Sequence, residues 1–440
     1  MKTFRHILGN TLATTVVNFF VWFALVFWLY LETQSVLATS IAGGIYAAAS
    51  ALSGFWFGSI VDHNKKKTAM LISSICTAIF FLLALGIYIL TPKEAFTSVT
   101  NPMLWVFALT AFAGIIISGI RNITLPITVT MLIEENKRDK ANGLTGMVMG
   151  ISGSGAGIAS GVVLAYAGMA WILIVGIVIT LCAIVHLTFV SIPEAEIVRT
   201  KEKARQIDIK GTITAIRAIP GLFALIFLTT FNNFLGGVFM ALLDAYGLTL
   251  MSVEAWGILW GILCLNFIAG GLFIAKWGLG KNPLRNLFVV NIVMWISCII
   301  FPLQPSIFLL AAGICVWLFF GPYIEAIEHT IVQKVVPLER QGRVFGFAQS
   351  VETAAMPLTA FLIGPIAQFI FIPFMTTGAG VGLIGDWFGV GPGRGIALVF
   401  ILTSTIGLTA TLIAMHLKPY KLLAQRYLAN SNATSDGGAH

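Results

Sequence analysis

The sequence predicts an all-α polytopic membrane protein with twelve transmembrane helices. Of the 440 residues, 58% are hydrophobic and only 10% are charged, whereas a soluble domain carries about 25% charged residues. The apolar runs continue for roughly twenty residues, the length at which an α-helix spans a bilayer. They lack the alternation of hydrophobicity that is typical of barrel strands. Because an open sheet edge in lipid would leave backbone groups unpaired, helices are the predicted architecture.

Twelve apolar runs define the predicted spans. The first run follows Lys2 and Arg5, is too long for a signal-peptide core and lacks a small-residue cleavage site. We therefore expect it to remain as the first membrane helix. The spans are predicted at 7–31, 36–61, 68–90, 102–131, 143–167, 170–192, 219–246, 252–275, 286–303, 306–335, 344–373 and 395–417.

The positions of the basic residues predict the orientation of the chain. Of the 26 lysines and arginines, only Lys93, Arg121 and Arg394 lie outside the loops and ends that share the side of the N-terminus. Loops rich in lysine and arginine stay on the cytoplasmic side, so we expect both termini in the cytoplasm. This placement accounts for the formal net charge of +8, and the charge therefore requires no nucleic-acid partner.

A long charged loop divides the chain into two groups of six spans. The loop comprises residues 193–217 and lies between the sixth and seventh spans. We predict an N-terminal six-helix bundle at 1–192 and a C-terminal six-helix bundle at 218–417. The loop is interpreted as a cytoplasmic linker, and residues 418–440 are interpreted as a cytoplasmic tail.

The two bundles are similar to each other in sequence pattern. Residues 134–146 join spans four and five, and residues 334–346 join spans ten and eleven, 200 positions later. Both segments leave a long helix, pass through charged residues and reach a pair of glycines. Repeated six-helix halves are typical of secondary transporters, whose substrate site lies near the bilayer midplane.

A glycine, an aspartate and a basic cluster occur around the end of the second span: Gly58, Asp62 and residues 65–67. The equivalent stretch after span eight keeps Gly271 but has Ala275 in place of the aspartate. On these motifs, the chain resembles the major facilitator superfamily across essentially its whole length. The resemblance implies the major facilitator fold, with two six-helix pseudo-repeats, and transport by alternating access.

Within that superfamily, the chain is most similar to the macrolide-efflux type of drug exporter. The residues that carry this similarity are 216–226 and 335–346, with the pairs Met356-Pro357 and Gly364-Pro365 beyond them. Relatives of that type include exporters of siderophores and carriers of lysolipids. The resemblance therefore leaves the substrate open.

Ionisable residues inside the spans are candidates for function, because a charge in the bilayer core is costly and is usually retained for a purpose. Glu325 and Glu328 share a face of span ten through their i, i+3 spacing, and Glu352 lies about two turns into span eleven. We predict that one of these three carboxyl groups couples transport to a proton gradient, with Glu325 as the first candidate. The alternative is that the long acidic side chains only reach the headgroups.

The resemblance implies that helices 1, 4, 7 and 10 line a central substrate cavity. The candidates for lining it are polar residues of the first, fourth and seventh spans: Asn18, Arg121, Asn232 and Asn233. In this interpretation, Arg121 holds a carboxylate or an anionic substrate group. Asp244 is a further candidate for the cavity, and a position at the outer interface explains it equally well.

Asp62 is unusual, because the C-terminal end of a helix carries partial negative charge and disfavours a carboxylate. We hypothesise that Asp62 binds the positive N-terminal end of helix 11 near Gly342 and Arg343, where an anion is stabilised. Gly58 would permit the close approach, and Lys66 belongs to the basic run beside it. We predict that these residues form a conformational gate.

Span five carries glycines four residues apart, among them Gly153 and Gly157. Such spacing lets helices approach closely in lipid, so these glycines form either a packing face or part of a conformational gate. Where antiporters of the superfamily have Gly-Pro in this helix, the chain has Gly157 followed by Ile158.

We predict proton-driven export of a small amphipathic or drug-like compound. No complete ATP-binding loop and no metal-binding or hydrolytic constellation is present in the sequence, so we expect no enzymatic activity and no cofactor besides the proton gradient. The expected partners are the lipid bilayer of a bacterial cytoplasmic membrane and the substrate, with the chain acting as a monomer. The alternatives are a lipid, lysolipid or siderophore carrier of the same fold, and a membrane receptor or assembly factor that transports nothing.

Overall fold

The computed structural model describes residues 2–33, 36–193 and 209–436. Most of the predicted linker, at 194–208, and the last residues of the predicted tail, at 437–440, lie outside these ranges. The α-helices within them are α1 (Lys2–Thr33), α2 (Val36–His63), α3 (Lys66–Leu90), α4 (Pro102–Ser118), α5 (Ile120–Leu132), α6 (Arg138–Ala167), α7 (Met169–Phe189), α8 (Ile209–Arg217), α9 (Leu222–Leu248), α10 (Val253–Trp277), α11 (Pro283–Ile300), α12 (Ile307–Val335), α13 (Gln341–Ile366), α14 (Ile372–Thr376), α15 (Ala379–Phe388), α16 (Pro392–His416) and α17 (Lys418–Asp436).

The predicted fold class is confirmed. Twelve segments within the described ranges are helical and apolar over at least 18 residues, which is long enough to cross a membrane. The fourth crossing consists of α4 and α5, which meet at Gly119, and the eleventh consists of α13, a short π-helical turn and α14. Length and hydropathy predicted these crossings, because a helix is the element that satisfies its own backbone hydrogen bonds in lipid.

Within the described ranges, three α-helices lie outside the predicted spans. Helix α8 occupies the end of the predicted linker, α15 lies between the eleventh and twelfth crossings, and α17 occupies most of the predicted tail. Long apolar runs do not predict these helices, because they are too short or too polar. Helix α17 buries Tyr420 and Leu423, which lie three residues apart, so packing of one face accounts for its position.

The chain divides into two compact units. Unit 1 comprises residues 1–141, 148–212 and 336–350, and unit 2 comprises residues 142–147, 213–335 and 351–440. Each unit therefore contains most of one predicted six-helix bundle. Unit 1 also includes the start of α13, and unit 2 also includes one short piece of α6.

The core of unit 1 is built around aromatic side chains. Trp28 of α1 packs edge-on against Phe96 and Phe107, and Tyr88 of α3 stacks on Phe96. Aromatic pairs of this kind add about 0.5–1.5 kcal/mol beyond the area that they bury. These contacts fix α1, α3 and α4 against one another, and they hold the helices that carry the polar residues of unit 1.

The core of unit 2 has a similar character. Phe239 of α9 stacks on Phe400 of α16 with ring centroids 4.8 Å apart. Phe301 and Tyr246 pack against the same ring of Phe400. Helix α9 is thereby fixed in unit 2, and it carries the polar residues described below.

Large apolar side chains also point away from both units. Tyr166, Phe189 and Phe308 are 90%, 84% and 87% exposed. In water, many exposed side chains of this kind would favour aggregation. In a bilayer, lipid tails cover them, so the outward-facing apolar surface agrees with a membrane location.

Candidate functional site

Two carboxyl groups of unit 2 meet at Thr229 of α9. The Thr229 hydroxyl donates a 2.7 Å hydrogen bond to Glu352 Oε1 of α13, and Glu328 Oε1 of α12 lies 3.4 Å from the same hydroxyl oxygen. Because both carboxyl oxygens lie against one hydroxyl group, the Glu328 and Glu352 carboxyl groups are neighbours. Glu328 is buried and Glu352 is half-buried. Three helices of unit 2 therefore converge on one acidic cluster.

This arrangement is suited to holding a proton between two carboxyl groups. A hydrogen bond between carboxyl groups needs a proton on one of them, because an ionised carboxylate can only accept. Two carboxylates held this close do not ionise together, as in other paired-carboxylate sites. The cluster can therefore bind and release one proton while the second carboxyl group stays charged.

Glu325 and His329 extend the acidic cluster along α12. Glu325 lies one turn before Glu328 and is half-buried, and its charge acts on Glu328, Glu352 and His329. Within the described part of the chain, no lysine or arginine contributes to the electrostatic environment of the Glu328 and Glu352 carboxyl groups. The structure thus brings the three predicted proton-coupling candidates together in a negatively charged environment.

The other polar residues of α9 face different partners. Asn232 Nδ2 donates to Asn291 Oδ1 of α11 at 2.9 Å, whereas the buried Asn232 Oδ1 has no hydrogen-bond partner among the described residues. Asn233 is half-buried. Asp244, near the end of α9, accepts a 2.9 Å hydrogen bond from Trp256 Nε1. Asn232 therefore has an available acceptor oxygen, three residues after Thr229. Asp244 is bound by a residue of its own unit.

Arg121 lies inside unit 1, where it is 2% exposed. Its guanidinium donates to Ser74 Oγ through Nε and Nη2, at 3.2 Å and 2.6 Å, and to Asn10 Oδ1 through Nη1 at 2.8 Å. These partners belong to α3 and α1. Asn18, the other cavity candidate of unit 1, is half-buried on α1. Among the described residues, Arg121 is therefore held by neutral groups.

Asp62 binds the N-terminal end of α13 within unit 1. Its Oδ1 accepts a 2.7 Å hydrogen bond from the backbone N–H of Gly342, and its Oδ2 accepts a 2.9 Å bond from that of Arg343. Arg343 Nε also lies 3.7 Å from Oδ2, and the Asp62 side chain is only 4% exposed. Backbone N–H groups at a helix start lack intrahelical partners and carry partial positive charge, so the carboxylate is stabilised there.

Gly58 and Lys66 make this contact possible. A Cβ atom on Gly58 would lie 2.5 Å from the carbonyl oxygen of Gly342, so a larger residue would push α13 away. Lys66 Nζ donates a 2.6 Å hydrogen bond to the carbonyl of Val61, and its charge offsets the partial negative charge at the end of α2. The structure therefore brings together five of the predicted gate residues: Gly58, Asp62, Lys66, Gly342 and Arg343.

The remaining predicted gate residues, Gly153 and Gly157, lie in α6. Among the described residues, a Cβ atom on Gly153 would meet nothing within 4 Å, and one on Gly157 would lie 3.5 Å from the Phe23 ring. Both positions leave room for a methyl group. Close packing therefore does not require glycine at these two positions in this structure.

Unit 2 contains an uncharged cluster around the short piece of α6 that belongs to it. Asn142 Nδ2 donates to Thr330 Oγ1 at 2.8 Å and to Gln333 Oε1 at 2.9 Å, and Gln333 Nε2 donates back to Asn142 Oδ1 at 3.2 Å. Beside it, a Cβ atom on Gly143 would lie 2.7 Å from the backbone nitrogen of Ala275. Ala275 occupies the aspartate position of the second motif copy. This region of unit 2 therefore contains the amides of Asn142 and Gln333, whereas unit 1 has the Asp62 carboxylate.

Sequence reasoning missed the partners that hold the charged groups. Thr229, Asn10 and Ser74 are small polar residues, and such residues are common in membrane helices as packing groups. Thr229 lies one turn before Asn232, and that shared face of α9 was the one available signal. Asn10 and Ser74 bind Arg121 across distances of 111 and 47 residues, which a single sequence does not indicate.

A search against protein families finds that the model of the Major Facilitator Superfamily matches residues 7–360. Since this match covers most of the sequence, the chain belongs to the Major Facilitator Superfamily. No curated protein matches the chain significantly.

Three solved structures share the fold. The human organic anion transporter MFSD10 (TETRAN) is 11% identical, with a TM-score of 0.66 over 96% of this chain and 99% of its own. A bacterial homologue of the iron transporter ferroportin, in an outward-facing state, is 14% identical, with a TM-score of 0.69 over 95% and 100%. The proton:xylose symporter XylE bound to 6-bromo-6-deoxy-D-glucose is 12% identical, with a TM-score of 0.62 over 93% and 95%.

These similarities establish a multi-pass membrane protein with a transporter fold. At such low identities, the likeness shows the fold alone. Substrate, direction of transport and coupling ion do not follow from it.

Proposed function

We propose that this protein is a proton-coupled exporter of small amphipathic or drug-like compounds, of the macrolide-efflux type, that works by alternating access. The observation that carries this proposal is the hydrogen-bonded cluster of Thr229, Glu328 and Glu352 within membrane-spanning helices of unit 2. Ionisable groups are costly in a bilayer, and they commonly mark ion or substrate pathways. The family supports transport, and this cluster supports the proton as the coupling ion.

The acidic cluster couples proton movement to substrate movement, because the proton and the substrate compete for the same carboxyl groups. In one state, Glu328 and Glu352 hold a proton between them, and Thr229 orients Glu352. A substrate with a basic amine offsets the repulsion between the two carboxylates, so its binding displaces the proton. Return of the proton then displaces the substrate, and each cycle exchanges one for the other.

The charge of the acidic cluster supports an amphipathic cation as the substrate class. Glu325, Glu328 and Glu352 lie together, and among the described residues no lysine or arginine offsets the latter two. A positively charged group supplies the missing counter-charge, and an apolar body suits the surrounding membrane helices. Macrolides and many other drugs combine these two properties.

We assign the role of a conformational gate to the contact of Asp62 with Gly342 and Arg343. In this proposal, the contact forms in one transport state and breaks in the other. A carboxylate at a helix N-terminus contributes up to about 2 kcal/mol in a partly buried setting, which is small enough for substrate binding to reverse. Residues 65–67 are basic and support a cytoplasmic location for this gate.

Everted membrane vesicles with an imposed pH gradient test the proposed function. Ethidium and erythromycin serve as cationic probes. We expect both probes to accumulate in wild-type vesicles. This accumulation should disappear when a protonophore collapses the gradient. Glu328→Gln and Glu352→Gln should abolish the gradient-dependent part of accumulation, whereas Glu339→Gln, which changes an exposed carboxyl group, should not.

Two outcomes of this experiment would contradict the proposal. Accumulation that ignores the gradient and survives both glutamine substitutions would exclude proton coupling at the cluster. A fluorescent lysolipid, tested in the same vesicles, separates the carrier alternative. Translocation of the lysolipid without movement of ethidium or erythromycin would assign the protein to lipid transport instead.

A further inference from the structure

A polar network in unit 1 connects the buried Arg121 to an exposed histidine. Arg121 Nη1 donates to Asn10 Oδ1 at 2.8 Å. Asn10 Nδ2 in turn lies 2.7 Å from the carbonyl oxygen of Ala183 and 3.1 Å from His186 Nδ1. Asn10 is 3% exposed, whereas His186 is exposed on α7. The network therefore runs from the interior of unit 1 to its surface.

The chemistry of the partners determines which nitrogen of His186 carries the proton. A guanidinium can only donate, so the Asn10 oxygen must face Arg121. A backbone carbonyl can only accept, so the Asn10 amide nitrogen must face Ala183. The same nitrogen donates to His186 Nδ1, which must therefore have a free lone pair. The proton of a neutral His186 is consequently on Nε2, at the opposite edge of the ring.

Two further basic side chains lie at this end of α7. The exposed His6 ring of α1 lies 5.7 Å from the His186 ring, measured between centroids. Lys67 Nζ of α3 donates a 2.8 Å hydrogen bond to the carbonyl of Thr188, two residues beyond His186. We call His6, Lys67 and His186 the donor surface. His186 Nε2 forms no hydrogen bond with another described residue.

Among the described residues, the helices that form the donor surface carry more basic than acidic side chains. The helices that form it and the network behind it are α1, α3, α5 and α7. Their single carboxylate is Glu32, near the far end of α1. The basic residues of these helices other than histidine are Lys2, Arg5, Lys66, Lys67 and Arg121. Phe189, which is 84% exposed, follows Thr188 and adds an apolar group beside the donors.

We infer that the donor surface binds the phosphate of an anionic phospholipid. His186 Nε2–H is held as an outward donor by Asn10, and Lys67 adds a positive charge at the same end of α7. Both groups suit phosphate oxygens. Lipid acyl chains would cover the exposed Phe189. An anionic membrane surface attracts lysines and arginines near it, and the bilayer supplies such headgroups at high local concentration. The lipid site is independent of the substrate proposed above.

Native mass spectrometry of the purified full-length protein tests this inference. Phosphatidylglycerol is titrated in detergent, with phosphatidylcholine as the uncharged counterpart. We expect retained phosphatidylglycerol to exceed phosphatidylcholine. Lys67→Gln should weaken phosphatidylglycerol binding by about fivefold, the effect of one lysine near an anionic surface. Lys65→Gln removes a neighbouring exposed lysine and should leave this site unchanged.

Variants of His186 distinguish a donor from a merely structural residue. His186→Phe keeps a ring beside His6 but removes the donor, so lipid binding should fall, whereas His186→Gln can accept from Asn10 and donate outwards, so binding should be retained. Nitrogen-15 NMR of histidine-labelled protein should place the proton of His186 on Nε2. A proton on Nδ1 would overturn the assignment of the donor.

Three binding results would overturn the lipid assignment. Equal retention of phosphatidylcholine would show that charge is not recognised. Equal losses of phosphatidylglycerol binding in Lys65→Gln and Lys67→Gln would show a diffuse charge effect without a defined site. Complete displacement of phosphatidylglycerol by inorganic phosphate would assign the donor surface to a free phosphate ion. Melting temperatures of all variants establish that a loss of binding is not a loss of folding.

Discussion

Asp62 Oδ1 accepts a 2.7 Å hydrogen bond from the backbone N–H of Gly342, a residue 280 positions later in the chain. This bond places a carboxylate against the positive end of α13 and accounts for an aspartate near the C-terminal end of α2, where the dipole of its own helix disfavours it. The start of α13 thus stabilises the carboxylate, whereas the end of α2 disfavours it. Such a balance suits a contact that must also break.

Asp62→Asn should reduce transport more than stability. Asparagine keeps one acceptor oxygen but loses the charge, so the bond to α13 weakens by roughly 1–2 kcal/mol. If the contact defines one transport state, the rate of ethidium accumulation in everted vesicles should fall by about tenfold, with a change of only a few degrees in melting temperature. Asp386→Asn, which changes an exposed aspartate, is the matched control. Unchanged ethidium transport in Asp62→Asn would refute the gate.

Gly58→Ala should separate α2 from α13. The new methyl group would lie 2.5 Å from the carbonyl oxygen of Gly342, a distance that backbone atoms cannot accept without moving. Gly44→Ala adds the same methyl group to the same helix at a position where it would meet no other described residue within 4 Å. Thermal unfolding in detergent should show that Gly58→Ala lowers the free energy of unfolding by about 1–3 kcal/mol. Gly44→Ala should change this free energy little. Equal stability of the two variants would show that α13 does not need this close approach.

The crossings were predictable from the sequence, and the partners of the charged groups were not. A run of about twenty apolar residues has one stable solution in lipid, so span length alone indicated α3, α9 and α16. Helix α17 has no such run, and its position depends on which surface Tyr420 and Leu423 find to pack against. The contact of Asp62 with α13 could be proposed because a carboxylate at a helix end needs an explanation. No comparable conflict marked Thr229 or Asn10.

Glu328 and Glu352 should behave as one unit in transport. Because both side chains meet at the Thr229 hydroxyl group, removing either acid disrupts the shared proton site. Glu328→Gln and Glu352→Gln should each abolish gradient-driven ethidium accumulation, and the double variant should be no worse than either single one. A rate for the double variant that equals the product of two partial losses would show that the carboxyl groups act independently. Thr229→Ser retains the hydroxyl group and should transport better than Thr229→Val.

Asn142→Ala should destabilise unit 2 through its uncharged cluster. The change removes the hydrogen bonds to Thr330 and Gln333, whose side chains are 5% and 3% exposed. The loss of a hydrogen-bond partner by a buried polar group costs about 1–3 kcal/mol. Thermal unfolding of Asn142→Ala, Gln333→Ala and the double variant measures the coupling. The double variant should lose less than the sum of the single losses, and strict additivity would show that the two amides do not stabilise each other.

Tyr420 should remain protonated to an unusually alkaline pH and hold α17 in place until it ionises. Its hydroxyl donates a 2.8 Å hydrogen bond to the carbonyl of Ala224 in α9, and burial raises the pKa of Tyr420 from its ordinary value of 10.0 to about 12. Below pH 10, the folded and unfolded chains bind this proton equally, so its contribution to stability is fully present. Between pH 10 and 12, the unfolded chain has lost the proton while the folded chain keeps it, and stability therefore falls as the pH rises.

The ultraviolet absorbance of tyrosinate, measured during an alkaline titration, tests this behaviour of Tyr420. The chain has 8 tyrosines, so the Tyr420 signal is the difference between the wild type and Tyr420→Phe. That difference should appear near pH 12 and coincide with increased proteolysis of α17, whereas Tyr420→Phe should show no α17 release linked to ionisation at this position. A Tyr420 signal at the ordinary pKa of tyrosine would mean that the hydroxyl group is not buried against Ala224.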